Sequence, residues 1–148
     1  KLIMAGKIDI NDREFYENRV KSLIDNKQIS FIGEVGHKAK VELLKNAVAT
    51  IHPVTWPEPF GLVMAESMAC GTPVLALNQG SIPEVVHDKV TGYVEDNIDD
   101  LIKRMKDINK ISRKACREHV LKNFSADKMA ESYLEVYEKM IKSDLMIS

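Results

Sequence analysis

Two carboxylates stand eight positions apart in the stretch WPEPFGLVMAESMACGTPV, residues 56–74: Glu58 and Glu66. Between them, Pro59, Phe60 and Gly61 lead into an apolar run that reads as a helix from Gly61 to Cys70, closed by Gly71 as its C′ residue. Pro59 restricts Glu58 to extended backbone. The first amides of a helix have no intrahelical acceptor, and Gly61 has no side chain to bar an approach. Such a helix start suits a phosphate or a sugar oxygen. A carboxylate accepts two or more hydrogen bonds and suits paired hydroxyls. Glu58 on the loop and Glu66 about one and a half turns into the helix therefore point to a ligand with both anionic oxygens and hydroxyls. Plainer readings compete residue by residue. The helix dipole alone favours a Glu near the start, and a loop Glu is usually just solvated. Leu62, Val63, Met64 and Met68 read as core, and Trp56 as a side chain that packs the loop down.

These residues need elements to position them, and the chain supplies an alternation. KLIMA is a short apolar run closed by Gly6, and ISFIG is another closed by Gly33; both read as strands. Between them, NDREFYENRVKSLIDN reads as a helix capped by Asn11 or Asp12, with Phe15, Val20, Leu23 and Ile24 as its stripe. HKAKVELLKNA is a second helix with Val41, Leu43, Leu44 and Ala47 inward. VATIHPV, PVLAL and GYVE are further strands, and IPEVVHD is a short helix. Three helices fill 97–146, the last with Met129, Tyr133, Val136, Tyr137, Met140 and Ile141 at helical spacing. Alternating strands and helices predict α/β architecture, a parallel sheet covered on both faces. Ligands in such folds bind at the carboxyl ends of the strands. The loops after Ala5, Ile32, His52 and Leu77 should therefore line any site.

Composition closes off other classes. The chain has 148 residues, enough for one domain with a core. Its net charge is −1, and the most basic piece, KRMKDINKISRKACREH, interleaves its charges with apolar residues as a solvated helix surface does. No nucleic-acid groove is expected. Cys70 and Cys116 are far apart without metal spacing and read as reduced core thiols. No stretch approaches the roughly 20 apolar residues of a membrane span, and no signal peptide opens the chain. No G-x-G-x-x-G follows the first strand, which argues against a dehydrogenase. No nucleophile elbow appears, and His37, His52, His87 and His119 have no evident partners, which argues against a Ser or Cys hydrolase. His87 and His119 read as surface residues.

The segment EPFGLVMAESMACGTPVLALNQGSIPEVVHDKVTGYV resembles the signature of group 1 (family 4) glycosyltransferases, enzymes of the GT-B fold. That family carries two glutamates separated by seven residues, then a G-x-P-V strand and a G-[GS]-x-P-E-[VI] turn. Glu58, Glu66, Gly71, Pro73, Val74, Gly80, Ser81, Pro83 and Glu84 match it. The likeness runs upstream through KLIMAG and ISFIGEVGHKAKVELLKNAVATIHP and downstream to NFSADKMAESYLEVYEKM, which resembles the family's closing helix.

The resemblance implies a Rossmann-like three-layer α/β/α domain over residues 1–148, the carboxyl-terminal nucleotide-sugar-binding domain of a GT-B enzyme. It implies retaining transfer of a sugar from a nucleotide-sugar to an acceptor hydroxyl, with no metal or other cofactor; the sequence does not name the nucleotide, and a UDP-sugar is expected ahead of a GDP-sugar. Glu58 would hold hydroxyls of the donor sugar at the catalytic centre. Backbone groups of Phe60, Gly61, Leu62 and Val63 would approach the sugar and diphosphate, and Glu66 would bind the ribose. Gly6 and Lys7 would lie near a phosphate, and Glu34 and Val35 near the base.

The chain departs from the family at its start. The family's first strand, with its Gly-Arg turn and Lys-Gly helix start, has no counterpart before Lys1, and the acceptor domain is absent. The expectation is a fragment that binds a nucleotide-sugar weakly but does not turn it over alone, with a gap or a new edge in its sheet that invites self-association. A different class also fits, a non-catalytic nucleotide-binding or interaction module that kept the fold. The acceptor is unreadable. The expected location is cytoplasmic, with the inner membrane face as an option for a full-length enzyme.

Overall fold

The computed structural model describes residues 1–144, in two compact units, Lys1–Glu42 and from Leu43 on. The last two positions of the expected closing helix, 145 and 146, lie outside the described residues.

In the first unit, β1 (Leu2–Met4) pairs in parallel with β2 (Ile29–Phe31), Leu2 opposite Ile29 and Met4 opposite Phe31. The segment between them is helical but not one regular helix. A 3-10 turn (Ile10–Asp12) leads into α1 (Arg13–Phe15), a π turn (Tyr16–Val20) and a second 3-10 turn (Lys21–Leu23). Asp9, not Asn11 or Asp12, supplies the cap, accepting from the Asn11 amide. Phe15 and Leu23 of the expected stripe are exposed, and Tyr16 instead meets Phe31, ring centres 5.5 Å apart. Asp25 sets up β2: its carboxylate accepts the Lys27, Gln28 and Ile29 amides at 2.7–2.9 Å. The bonds from Ile29 and Lys27 hold its carboxyl below the usual range. α2 (His37–Asn46) begins in this unit and ends in the next.

The second unit holds β3 (Thr50–His52), α3 (Leu62–Ala69), β4 (Val74–Leu77), α4 (Ile82–Val85) and β5 (Gly92–Glu95). After them come α5 (Ile98–Arg104), α6 (Arg113–Asn123) and α7 (Ala126–Asp144). β4 lies between β3 and β5, parallel to both, with Thr50 opposite Val74 and Val74 opposite Gly92. Among the described residues the strands form two hydrogen-bonded sheets, of two and three strands. The α/β class and the parallel direction are as the alternation predicts.

The core of the second unit follows from β4, whose four residues are all buried, as in a central strand covered on both faces. Met64 and Met68 of α3, Ile82 and Val85 of α4 and Val120 of α6 pack around it. Ser67 is buried in the same helix because it has partners: its hydroxyl donates to the Thr72 carbonyl at 3.0 Å and shares a 2.7 Å bond with Thr50. Asn97 and Ser112 cap α5 and α6. Arg113 donates to the carbonyls of Lys45, in the last turn of α2, and Ala47, just beyond it, and to the Thr72 hydroxyl.

Cys116 is the core thiol expected. It donates to the Thr91 carbonyl, and burial pushes its pKa up to about 11, so it stays protonated and unreactive at neutral pH. Cys70 is only half-buried. The predicted stripe of α7 forms, but Met129, Tyr133, Val136, Tyr137, Met140 and Ile141 are exposed. Among the described residues no helix is long and apolar enough to cross a membrane.

Candidate functional site

In the second unit, the loops that leave β3 and β4 meet, as the carboxyl-edge rule predicts. β3 ends at His52, and the chain runs through Pro53–Phe60 to Gly61, which caps α3 with φ 74°. That angle lies in the left-handed region, where glycine carries no steric penalty. Gly61 is also buried, and a Cβ there would stand 2.4 Å from Met64 Cε, 3.3 Å from Glu58 Cγ and 3.6 Å from His52 Nε2. No side chain caps the helix. The Met64 amide turns back to the Gly61 carbonyl at 2.9 Å. The amino end of α3 is therefore a backbone feature, with Glu58 and His52 beside it.

The loop after β4 fixes Glu58. The Ser81 amide donates to the Glu58 carbonyl at 2.9 Å, and Gly80 passes so close that a Cβ would lie 2.5 Å from both Glu58 N and Glu58 O. Gly80 and Ser81 open the second half of the sequence motif, so the motif's two halves are one structural unit. The side chain of Glu58 is 20% exposed and sits opposite His52, with Oε2 3.9 Å from Nε2. Burial lowers the pKa of His52 more than the neighbouring Glu58 raises it, so the imidazole is neutral at neutral pH.

Phe60 is half-buried with its ring edge-on to Phe124 at 5.6 Å. Leu62 is 71% exposed and Val63 36%, which corrects their reading as core. The buried face of α3 is Met64, Ser67 and Met68, and the two residues before it lie on the open side. Glu66 is half-buried on the same helix. Trp56 is exposed.

In the first unit, the loops after β1 and β2 meet through the Gly6 amide, which donates to the Gly33 carbonyl at 2.9 Å. Lys7 and Glu34, both exposed, flank that contact, and Val35 is half-buried next to Glu34. Gly33 has φ 71°.

Sequence reading missed His52, whose partner lies six residues on across an irregular loop with no periodicity to reveal it. It also read His119 as a surface residue, whereas His119 is half-buried and its Nε2 lies 3.0 Å from the Val85 carbonyl.

Comparison with known proteins agrees with this architecture. The family described as "Glycosyl transferases group 1" matches over residues 1–123. Alpha-maltose-1-phosphate synthase of Mycolicibacterium smegmatis is 35% identical over 118 residues, 70% of this chain and 30% of that protein. A glycosyltransferase from Rickettsia africae superposes with TM-score 0.72 at 28% identity, covering 95% of this chain and 40% of the other. Anabaena HepE, solved in complex with UDP and glucose, superposes with TM-score 0.75 at 21% identity, covering 93% and 40%, and shows likeness of fold. The chain spans about a third of the length of the curated relatives it matches.

Proposed function

The chain belongs to the group 1 glycosyltransferases, and from that premise we propose that its second unit binds the donor of a retaining sugar transfer. The observation that carries this reading is the juxtaposition of Glu58, pinned by Gly80 and Ser81, with the uncapped start of α3. A nucleotide-sugar has the two chemistries this arrangement suits. Its diphosphate carries negative charge, which the amides of Leu62 and Val63 and the helix dipole favour. Its sugar carries vicinal hydroxyls, which the Glu58 carboxylate can accept from in pairs.

Glu66, further along α3, is assigned to the ribose hydroxyls. The exposed Leu62 side chain supplies an apolar wall that a bound ligand covers. In the first unit, considered by itself, Gly6, Lys7, Glu34 and Val35 form the turn pair proposed to face ligand. A UDP-sugar is the favoured donor, and a GDP-sugar the competing one.

In the reaction, the bond between the anomeric carbon and the diphosphate oxygen breaks while the acceptor oxygen bonds to the same face and its hydroxyl proton passes to the departing diphosphate. Negative charge grows on the departing diphosphate. Amides held in place before the reaction stabilise that charge, each worth about 3 kcal/mol in comparable sites. Glu58 orients the sugar and does not attack it.

The test is a calorimetric titration with UDP-glucose and GDP-mannose. Saturable binding is expected, and Glu66→Ala should weaken it by about 1–3 kcal/mol, the usual cost of losing hydrogen bonds to a charged group. Absence of binding to either ligand at millimolar concentration would sink the proposal.

A further inference from the structure

Two buried side-chain polar atoms have no hydrogen-bond partner among the described residues, and both belong to residues that adjoin Glu58. One is Oγ of Ser81, whose amide holds the Glu58 carbonyl. The other is Nε2 of His52, which faces the Glu58 carboxylate. Native folds rarely leave such atoms unpaired, and each instance asks for a reason.

His52 has little freedom to find another partner. It is the last residue of β3, opposite Ala76 of β4, so its backbone is fixed. Its side chain is 13% exposed, and Nε2 lies only 3.6 Å from where a Cβ on Gly61 would stand. A neutral imidazole has one N–H and one bare nitrogen. With the proton on Nε2, Oε2 of Glu58 is an acceptor 3.9 Å from the donor nitrogen. The present 3.9 Å separation is too long for a hydrogen bond, and a shift of about 1 Å in the carboxylate would close it.

We infer that His52 is a positioning residue for Glu58. When a donor sugar engages the carboxylate, His52 Nε2–H donates to Oε2 and fixes the carboxylate plane, leaving the remaining lone pairs for the sugar hydroxyls. This rests on the assignment of Glu58 to the donor sugar made above. His52 itself touches no ligand in this scheme.

The experiment compares His52→Phe, which keeps a ring but no donor, with His52→Gln, which restores an N–H. Each is titrated with UDP and with UDP-glucose, after thermal melting confirms that it folds. His52→Phe should lose about tenfold in affinity for UDP-glucose, the loss expected of a hydrogen bond to a charged group, with UDP binding within about twofold. His52→Gln should recover most of the loss. Equal weakening toward both ligands, or no recovery in His52→Gln, overturns the inference.

A second readout needs no ligand. Nitrogen-15 spectra of the imidazole should show the Nε2–H tautomer in the free chain, and Glu58→Gln should shift the Nε2 resonance. The Nδ1–H tautomer, or a resonance indifferent to Glu58→Gln, overturns the inference. If the unmodified chain binds neither UDP nor UDP-glucose, the donor-binding proposal fails, and this spectrum alone still decides whether His52 and Glu58 are coupled.

Discussion

Gly80→Ala is expected to weaken strongly the proposed recognition of a donor sugar while leaving the chain folded. A Cβ at Gly80 would lie 2.5 Å from Glu58 N and O and 2.8 Å from the Pro57 carbonyl carbon. All three are backbone atoms and cannot rotate aside as a side-chain end could. The residue also has φ 53°, where an L side chain is strained. The turn must therefore move off the Glu58 loop and break the Ser81–Glu58 bond. Gly80 is exposed, so the movement goes outward and spares the core. The stability cost should stay near 1–2 kcal/mol. The functional cost should be larger, because a displaced Glu58 forfeits the hydrogen bonds proposed to the sugar hydroxyls, each worth about 1.5–3 kcal/mol to a charged group. Titration with UDP-glucose beside a thermal melt separates the two. Unaltered binding in Gly80→Ala would show that the turn does not set the position of Glu58.

Gly92→Ala should cost stability instead. Gly92 stands opposite Val74 at the start of the β4–β5 ladder, and a Cβ there would lie 2.0 Å from the Val74 carbonyl oxygen. No rotamer relieves a clash with the backbone of the central strand. β5 must separate from β4, losing ladder bonds and loosening Tyr93 and Val94 from the core. Overpacking alone costs about 1–3 kcal/mol, and with the ladder disturbed about 3 kcal/mol or more is expected. That is a large share of the 5–15 kcal/mol typical of a domain. Urea denaturation should show a lower midpoint at unchanged slope. Gly36→Ala is the control, since nothing lies within 4 Å of a Cβ there, and it should be close to neutral. A Gly92→Ala midpoint equal to that of the control would contradict the β4–β5 register.

What was legible in the sequence was local. Glycines closing apolar runs marked the strand ends, and Gly61 and Gly71 bracketed α3, each with the positive φ that only glycine takes easily. The spacing of Glu58 and Glu66 placed one on a loop and one on a helix. The departures arose where spatial neighbours decide. Leu62 and Val63 are apolar, and hydropathy alone assigns them inward, but they precede the buried face of α3. Ser67 lies inside because Thr50 and the Thr72 carbonyl receive it, partners 17 and 5 residues away. The stretch from Ile10 to Leu23 has helical composition, yet only Arg13–Phe15 is α-helical and the rest is 3-10 and π turns, a distinction residue propensities do not resolve. His52 stayed hidden for the same reason as Ser67. Its significance is its distance to Glu58, and distance is a product of folding.

The four buried residues of β4 also set a rate. Their amides can meet solvent only when a flanking strand lifts away and the core opens with it, so they should exchange hydrogen for deuterium near the rate of global opening. The three-residue strands of the first unit, half-exposed and with no fully buried side chain among them, should exchange through smaller and more frequent openings. Mass spectrometry of timed deuterium uptake would then read the chain as a gradient. Label should enter residues 1–42 first and reach Val74–Leu77 last, with the Glu58 loop in between. Ligand-dependent slowing of that loop would mark where opening and binding compete.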